Sequence, residues 1–310
     1  MKTKPTKALI VVFFLSFNLY SQSQPPGQMV DIGGYKLHFN VMGTNGPTII
    51  IEPGAGSWSL QWFDVQQKLS ENFRVITYDR AGYGWSDPSP YSRTADQIAN
   101  ELKTGLEKLS VKAPYIFLGH SYGGLLAKAY ANKYPDDVLA IIFAESASEY
   151  QFEKLPPIVT MILEGGKEQF KQSGMLARMG AITPDQISID STLQQQYWDD
   201  YQVLLTNAPF YDAVFNEMDL LRHTYKQSMF KKPIDKPILV ITAENSFAAF
   251  SSVPNLPLEE CNAVWFHLQD EMLSWSSKSS AKVIGSATHD LLLTAPMELA
   301  DLVIEFVKGL

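Results

Sequence analysis

The sequence predicts an α/β protein in which a mostly parallel, doubly wound sheet carries an inserted helical cap. Short apolar runs alternate with longer segments of helical period, which is the pattern of a parallel sheet with helices on both faces. This alternation stops between residues 149 and 232 and then resumes, which indicates an insertion after a sheet strand. The chain has 310 residues, 45% of them hydrophobic, and can therefore bury a large core.

The strands are predicted from apolar runs bounded by turn residues. Two alternating runs around Gly33-Gly34 predict a hairpin over residues 29–41. Buried strands are then expected at 48–52, 74–78, 115–118, 139–144, 237–242 and 281–284. In such sheets, functional sites gather at the carboxyl ends of the strands.

Helical periodicity fills the intervals between these strands. Helices are expected at about 58–69, 94–109, 122–134, 259–278 and 296–307. In the second of these, one face carries Ile98, Leu102, Leu106 and Leu109. The stretch 149–232 contains Pro156-Pro157, Gly165-Gly166 and Pro184, which predict short helices there.

The first residues have the pattern of a secretory signal. Lys2, Lys4 and Lys7 precede an apolar run over 8–15 that is too short to span a bilayer comfortably. We therefore expect a signal peptide over 1–21, a secreted or periplasmic mature protein, and no stable membrane insertion after removal of the signal. The remaining chain is expected to form a core from 22–148 and 233–310, with the helical cap at 149–232.

Charge and cysteine content exclude several classes of function. The net charge is −8, and loss of the three lysines of the signal would make it −11. An acidic chain is poorly suited to bind nucleic acid or an anionic membrane surface. Cys261 is the sole cysteine, so no intrachain disulfide can form, and a buried, inert thiol in a helix is expected. No metal-ligand spacing occurs in the sequence, and neither a metal nor a cofactor is expected.

The segment Gly119-His120-Ser121-Tyr122-Gly123 lies between a predicted strand and a predicted helix. The pattern G-x-S-x-G in this context is typical of a nucleophile elbow, a tight turn that lifts its central serine clear of the sheet. Serine is a weak nucleophile at neutral pH and needs a base within hydrogen-bond reach. The sequence therefore nominates Ser121 as a nucleophile and requires a partner for it.

The order of these elements, the elbow serine and a late histidine together resemble the α/β-hydrolase family. The segment from Asp79 to Asp87 is also similar to a loop that is common in that family, and the resemblance covers essentially the whole chain from Met29 onward. The family places its base in the loop after the last strand, so the resemblance implies that His289 is the general base and acid. The fold hosts many reactions, and the resemblance does not determine the substrate.

The carboxylate that orients the histidine has two candidates. Many family members place an aspartate after the strand at 237–242, but here Ser246 stands at that position and Glu244 is the only carboxylate in the loop. A subset of the fold uses the position after the strand ending at Ala144, where this chain has Glu145. The prediction favours Glu145, next to the elbow strand, and keeps Glu244 as the alternative.

The resemblance also implies an oxyanion hole made of two backbone N–H groups. One belongs to Tyr122, at the start of the helix after the elbow. The other is expected from Ala55 in Gly54-Ala55-Gly56, where the family usually has a His-Gly motif. Here Glu52-Pro53 replaces the histidine part of that motif.

Substrate contacts are expected from aromatic residues near the elbow and from the cap. The aromatic candidates are Trp58, Tyr83, Tyr122 and Phe152. The apolar residues of the cap are Met161, Ile162, Leu163, Phe170, Met175 and Leu176. They suit an apolar acyl or alcohol group, and they equally suit the core of the cap.

The sequence therefore predicts a secreted serine hydrolase that cleaves a small-molecule carboxylic ester through an acyl-enzyme intermediate. One alternative is an aminopeptidase or amidase of the same fold, which would need acidic residues such as Glu149, Glu153 or Glu217 to hold a substrate amine. Another is a catalytically silent hydrolase fold that only binds its ligand. The irregular acid loop favours this last alternative, whereas the intact serine and histidine oppose it.

Overall fold

A computed structural model describes residues 25–310, and within this range eight strands form one sheet. The predicted signal peptide lies outside the described residues. The strands are β1 (Gln28–Asp31), β2 (Lys36–Met42), β3 (Thr48–Glu52), β4 (Arg74–Tyr78), β5 (Tyr115–His120), β6 (Val138–Ala144), β7 (Ile238–Ala243) and β8 (Ser279–Ile284). The helices are α1 (Phe63–Ser70), α2 (Ala95–Lys108), α3 (Tyr122–Lys133), α4 (Gln151–Lys154), α5 (Pro157–Arg178), α6 (Trp198–Leu204), α7 (Ala208–Asp219), α8 (Leu221–Ser228), α9 (Leu258–Glu271), α10 (Leu291–Thr294) and α11 (Pro296–Lys308).

The sheet has the order β1-β2-β4-β3-β5-β6-β7-β8. From β4 to β8 every neighbouring pair is parallel, and the antiparallel pairs are β1 with β2 and β2 with β4. The predicted α/β class and mostly parallel sheet are therefore confirmed. Strand β5, which leads into the elbow, lies in the middle of the sheet between β3 and β6.

Both faces of the sheet are covered, which explains the continuous apolar runs of its strands. Ile49, Ile50 and Ile51 of β3 are all fully buried, and successive side chains point to opposite faces. Ile49 and Ile51 pack in a cluster that includes residues of α1 and α11, whereas Ile50 packs in one that includes residues of α2 and α3. Thr94 caps α2, since its hydroxyl accepts a hydrogen bond from Gln97 N at 3.2 Å.

Two helices differ from their predicted limits. The first begins at Phe63 rather than at Trp58, because the preceding residues form tight turns that bury Trp58 and Trp62. Helix α9 ends at Glu271, and a 3₁₀ turn over Met272–Trp275 precedes β8. The single cysteine, Cys261, is fully buried in α9, as predicted.

The cap segment (residues 149–232) contains the helices α4 to α8 between β6 and β7. The prediction that its helices are short is wrong for α5, which has 22 residues. Gly165 and Gly166 lie within α5, where an added Cβ would meet nothing within 4 Å. Two glycines cost an α-helix only about 1 kcal/mol each, and the apolar residues of this helix more than offset that cost by packing.

Two buried ion pairs join the cap segment to the core. Arg80, in the loop after β4, donates two hydrogen bonds to Glu217 of α7, from Nε at 2.9 Å and from Nη2 at 3.1 Å. Lys128 of α3 donates to both carboxylate oxygens of Glu149, at 2.7 and 2.6 Å. Burial lowers the pKa of Lys128 to about 8, although Glu149 acts in the opposite direction. Within residues 25–310, no helix has the length and apolar character needed to cross a membrane.

Candidate active site

Ser121 occupies the apex of a strained turn between β5 and α3. Its backbone has φ 50° and ψ −122°, a conformation that costs an L-residue free energy and is typical of functional sites. The turn closes only because its flanking glycines lack side chains. A Cβ on Gly119 would lie 2.7 Å from the Cα of Gly124, and one on Gly123 would lie 1.9 Å from the carbonyl oxygen of Glu52.

The structure brings Ser121, His289 and Glu145 into one hydrogen-bonded chain. His289 Nε2 lies 3.0 Å from Ser121 Oγ, and His289 Nδ1 lies 3.1 Å from Glu145 Oε2. The three residues come from different places in the chain, after β5, after β8 and after β6. They meet because the carboxyl ends of these parallel strands lie at the same edge of the sheet.

Glu145 owes its position to the register of β5 and β6. His120 of β5 pairs with Ala144 of β6, so the next residues, Ser121 and Glu145, leave the sheet side by side. Glu145 also has a positive φ of 50°, and its N–H donates to the carbonyl oxygen of Ile241 at 2.8 Å. This conformation turns the chain sharply at the end of β6.

The carboxylate of Glu145 is fully buried and accepts three hydrogen bonds. Besides the histidine, the backbone N–H of Ala243 donates to Oε1 at 2.7 Å, and the indole Nε1 of Trp265 donates to Oε2 at 2.9 Å. A buried carboxylate is tolerable only when such donors replace water. The loop after β7, where the family's usual aspartate would stand, therefore contributes a backbone donor to Glu145.

Glu244 does not contact the histidine and is exposed. Its backbone N–H donates to Ile284 O at 3.1 Å, which ties the loop after β7 to the end of β8. Ser246 is buried, and its carbonyl oxygen accepts a hydrogen bond from His289 N at 3.3 Å. The loop that lacks the family's aspartate thus still supports the backbone of His289.

The other four histidines have different surroundings. His120 is buried, and its Nε2 donates to the carbonyl oxygen of His289 at 2.8 Å, so it points away from Ser121 Oγ. Burial lowers the pKa of His120 to about 4, which keeps this imidazole neutral. His38 is buried against Asp79, and His223 and His267 are exposed.

The predicted oxyanion donors lie on either side of Ser121. Tyr122 is the first residue of α3, and its backbone N–H has no acceptor within that helix. Ala55 lies in the turn after β3, in the wall of a cavity that also includes Ser121 and His289. Arg80 supports this turn, because it donates to the carbonyl oxygens of Pro53 and Gly54 at 2.8 and 2.9 Å.

Two cavities open at Ser121 and His289, and they differ in character. The first, of about 180 Å³, has walls that are mostly apolar. Its apolar walls include Leu155, Val159, Ile162, Phe247, Phe250 and Trp265. The second, of about 230 Å³, has a more polar wall than the first, and its polar residues include Ser57, Gln61, Asp190, Thr192 and Asp290.

The expectation about substrate-binding aromatics is not met. Among the described residues that line these two cavities, none is Trp58, Tyr83, Tyr122 or Phe152. Trp58 stacks on Tyr201 of α6 at 5.2 Å, and Phe152 packs against Tyr225 of α8 at 5.6 Å. The Trp58 ring therefore joins the core to the cap segment, whereas Phe152 and Tyr225 both belong to the cap segment.

The apolar residues of the cap divide into three groups. Ile162 and Leu163 line the apolar cavity, as expected for substrate contacts. Phe170 packs in the interface between cap segment and core, in a cluster that includes Trp58 and Phe210. Met161, Met175 and Leu176 are exposed on α5.

The acidic residues predicted for an aminopeptidase do not line the cavities at Ser121. Glu149 and Glu217 are both buried in ion pairs, with Lys128 and Arg80 respectively. Glu153 is exposed and does not line either cavity at Ser121. The described walls of the apolar cavity contain no carboxylate.

Sequence reasoning missed Trp265, which belongs to α9. Its indole donates to Glu145, its ring lies edge-on to His289 at 5.4 Å between centroids, and it lines the apolar cavity. In the sequence it is one apolar residue of a helical segment near Cys261. No local pattern distinguishes such a residue from a core residue, because its role depends on the position of α9 beside β7.

Comparison with known proteins gives one family and several relatives. The family described as alpha/beta hydrolase fold matches residues 47–246. The probable transporter efuK of Hormonema carpetanum is 35% identical over 136 residues, which are 41% of this chain and 20% of that protein, so the chain covers only a fifth of it. The uncharacterized protein YbdG of Bacillus subtilis is 25% identical over 297 residues, covering 91% of this chain and 86% of that protein.

Among solved structures, an esterase from Exiguobacterium antarcticum is similar to this chain with a TM-score of 0.66. The match covers 91% of this chain and 99% of the esterase, at 18% sequence identity. At this identity the likeness extends to the fold alone.

Proposed function

Because the chain belongs to the α/β-hydrolase fold family, we propose that it is a serine hydrolase that cleaves a carboxylic ester through an acyl-enzyme intermediate. The observation that supports this proposal most directly is the pair of hydrogen bonds that His289 makes with Ser121 and with Glu145, at 3.0 and 3.1 Å. A nucleophile, a base and an orienting acid in this order are what acyl transfer requires.

In the proposed reaction, Ser121 Oγ attacks the ester carbonyl carbon while His289 Nε2 accepts the hydroxyl proton. The carbonyl oxygen becomes an oxyanion, which the backbone N–H groups of Ala55 and Tyr122 would stabilise. The carbon–oxygen bond to the alcohol then breaks, and His289 returns its proton to the departing alcohol. Water, activated by the same histidine, hydrolyses the acyl-enzyme and releases the acid.

Glu145 has two roles in this mechanism. It fixes the tautomer of His289 with the proton on Nδ1, so that Nε2 is free to accept the proton of Ser121. Its negative charge also stabilises the imidazolium that forms during each step. The hydrogen bonds from Ala243 and Trp265 hold the carboxylate in place for both roles.

An ester is favoured over an aminopeptidase substrate. An aminopeptidase must hold the ammonium group of its substrate, and none of the carboxylates predicted for this role, Glu149, Glu153 and Glu217, lines a cavity at Ser121. The carboxylates that do so, Asp190 and Asp290, line the second cavity alone. The pattern of the first 21 residues further supports export, which N-terminal sequencing of protein recovered outside the cytoplasm would test.

A fluorophosphonate probe tests the proposed function directly, because it reacts only with an activated serine. We expect labelling of the peptide that contains Ser121 and hydrolysis of p-nitrophenyl hexanoate. Ser121→Ala should lose both, and its fold should persist because a small turn residue is replaced by a smaller one. A Ser121→Ala protein that kept most of the wild-type rate would refute the assignment, and a wild-type protein that resisted the probe would favour the silent binding protein.

A further inference from the structure

Ser121 and His289 lie in the walls of two cavities. The walls of these cavities differ in polarity. From this arrangement we propose that the substrate is an ester of an apolar acid of about six to eight carbons with a small, hydroxyl-bearing alcohol. The inference rests on the proposed ester hydrolysis and adds the two halves of the substrate to it.

The acyl group is assigned to the apolar cavity because the alcohol departs beside His289 before water attacks at the same place. The departing alcohol and the later attacking water must both stand close to His289 Nε2, since the same atom donates a proton to one and accepts a proton from the other. Water enters a cavity only where polar groups can bind it, and it avoids apolar ones. The polar cavity therefore serves the alcohol and the water, and the acyl chain remains in the apolar cavity.

The volume of the apolar cavity sets the size of the acyl group. It measures about 180 Å³, and a cavity of about 150 Å³ lined by leucine, isoleucine and phenylalanine accommodates benzene. A chain of six to eight carbons is of this size. Val159 and Ile162 of α5 form one part of the wall and Phe247 and Phe250 another, so the cavity is closed by side chains of the cap segment and of the loop after β7.

The polar cavity can bind hydroxyl groups. Asp190 and Asp290 offer carboxylate oxygens, the amide of Gln61 can donate, and the hydroxyl oxygen of Thr192 can accept. Thr192 already donates to Asp190 Oδ1 at 2.6 Å, which holds that carboxylate at the wall. The described walls include no lysine or arginine, so an alcohol that carries a negative charge is disfavoured.

The test compares two esters that share an acyl group and differ only in hydroxyls, glyceryl 1-monohexanoate and propyl hexanoate. Acid release is followed at constant pH to give kcat/KM for each. We expect the glyceryl ester to be cleaved about tenfold more efficiently, since each of its two hydroxyls can add a hydrogen bond that is worth roughly two- to tenfold. Equal rates, or a preference for the propyl ester, would overturn the assignment of the polar cavity.

Variants then test each cavity separately. Thr192→Val keeps the shape of the side chain but removes its hydroxyl, and should lower the ratio of glyceryl to propyl efficiency severalfold. Val159→Phe should shrink the apolar cavity and shift the preference from glyceryl hexanoate to glyceryl acetate by more than tenfold. Met161→Phe is the matched control, because Met161 lies on the same helix but is 72% exposed and should leave the profile unchanged.

The possible failures are distinguishable. A profile in which Val159→Phe changes the preference for the alcohol, and not for the acid, would reverse the two halves and refute the inference. Labelling of Ser121 by the fluorophosphonate without hydrolysis of any ester in the series would refute the substrate inference and leave the serine hydrolase standing. Absence of labelling would remove the proposed function itself.

Discussion

Glu145 shows how a single buried carboxylate is made compatible with a protein interior. It is fully buried, and donors from the backbone of Ala243, the indole of Trp265 and the imidazole of His289 surround it. Each donor replaces a hydrogen bond that the carboxylate would make with water. The same donors fix the orientation of the carboxylate. His289 Nδ1 therefore has an acceptor in a fixed position.

We expect Glu145→Gln to lower kcat by up to about 10⁴-fold, because an amide cannot stabilise the imidazolium or hold its tautomer. The substitution should also destabilise the protein by about 1–3 kcal/mol, since the amide NH₂ would face one of the three donors. Steady-state kinetics measure the change in kcat, and urea unfolding measures the change in the free energy of unfolding. Both are measured below the melting temperature of the variant.

Glu244→Gln is the matched control for this prediction, because Glu244 is the competing carboxylate and is exposed. Its kcat should stay within about twofold of the wild type and its stability within about 0.5 kcal/mol. A larger loss of kcat in Glu244→Gln than in Glu145→Gln would contradict the assignment of the acid.

At the scale of elements, α5 is the long helix of the cap segment and forms part of the apolar cavity. Only Val159 and Gly174 of its residues are buried, so most of its surface faces solvent. Gly165 and Gly166 lie next to each other in the interior of this helix. Glycine has a larger conformational entropy than alanine in the unfolded chain, and it therefore lowers the stability of a helix when it lies in the helix interior.

Gly165→Ala should therefore raise the free energy of unfolding by about 0.5–1 kcal/mol, as should Gly166→Ala. Nothing lies within 4 Å of the added Cβ at either position. Gly105 in α2 is the contrasting control, because a Cβ there would lie 2.2 Å from Cζ of the fully buried Phe39. Gly105→Ala should lower stability by about 1–3 kcal/mol, and the three variants can be ranked by thermal or urea unfolding. Stabilisation by Gly105→Ala, or destabilisation by Gly165→Ala, would show that the packing around these helices is different.

At the scale of the whole molecule, the core contains an ionisable group that links stability to pH. Glu52, at the end of β3, is 1% exposed, and the Tyr78 hydroxyl lies 3.0 Å from both of its carboxyl oxygens. Burial raises the pKa of Glu52 to about 8, against the opposing effects of Arg80 and the Tyr78 hydrogen bond. The carboxyl group is thus protonated in the folded protein at neutral pH.

The sign of the resulting pH dependence follows from proton binding. At pH values between 4.5, the ordinary pKa of glutamate, and about 8, the raised pKa of Glu52, the folded protein binds a proton at Glu52 that the unfolded chain has released. The stability that this proton contributes is complete below pH 4.5 and is lost as the pH rises through 8, at up to about 1.4 kcal/mol for each pH unit.

Glu52→Gln should remove this dependence, because a neutral amide replaces a neutral carboxyl group of the same shape. We expect the variant to gain stability relative to the wild type as the pH rises from 5 to 8, by a few kcal/mol in total. Urea unfolding of both proteins at intervals across this range measures the difference. Parallel stability curves would mean that Glu52 ionises alike in the folded and unfolded states.

Local sequence was sufficient for the order of strands and helices and for the elbow. An apolar run, two glycines around a serine and a helical period all lie within about twenty residues, so each is visible without the fold. It was also sufficient to nominate Ser121, whereas His289 and the two glutamates were nominated from the resemblance to the α/β-hydrolase family, which places such residues in the loops after predicted strands.

The sequence favoured Glu145 but kept Glu244 as the alternative, because both follow adjacent parallel strands; the tertiary structure places Glu145 at 3.1 Å from His289 Nδ1. The register of β5 against β6 places Glu145 beside Ser121, and the position of α9 brings Trp265 to the same carboxylate. The two cavities likewise form only where the cap segment meets loops after β3, β7 and β8. Periodicity indicates how a residue is placed within its own helix or strand. A site assembled from several elements depends instead on how those elements pack. Their packing is determined by long-range contacts, which no short segment of sequence contains.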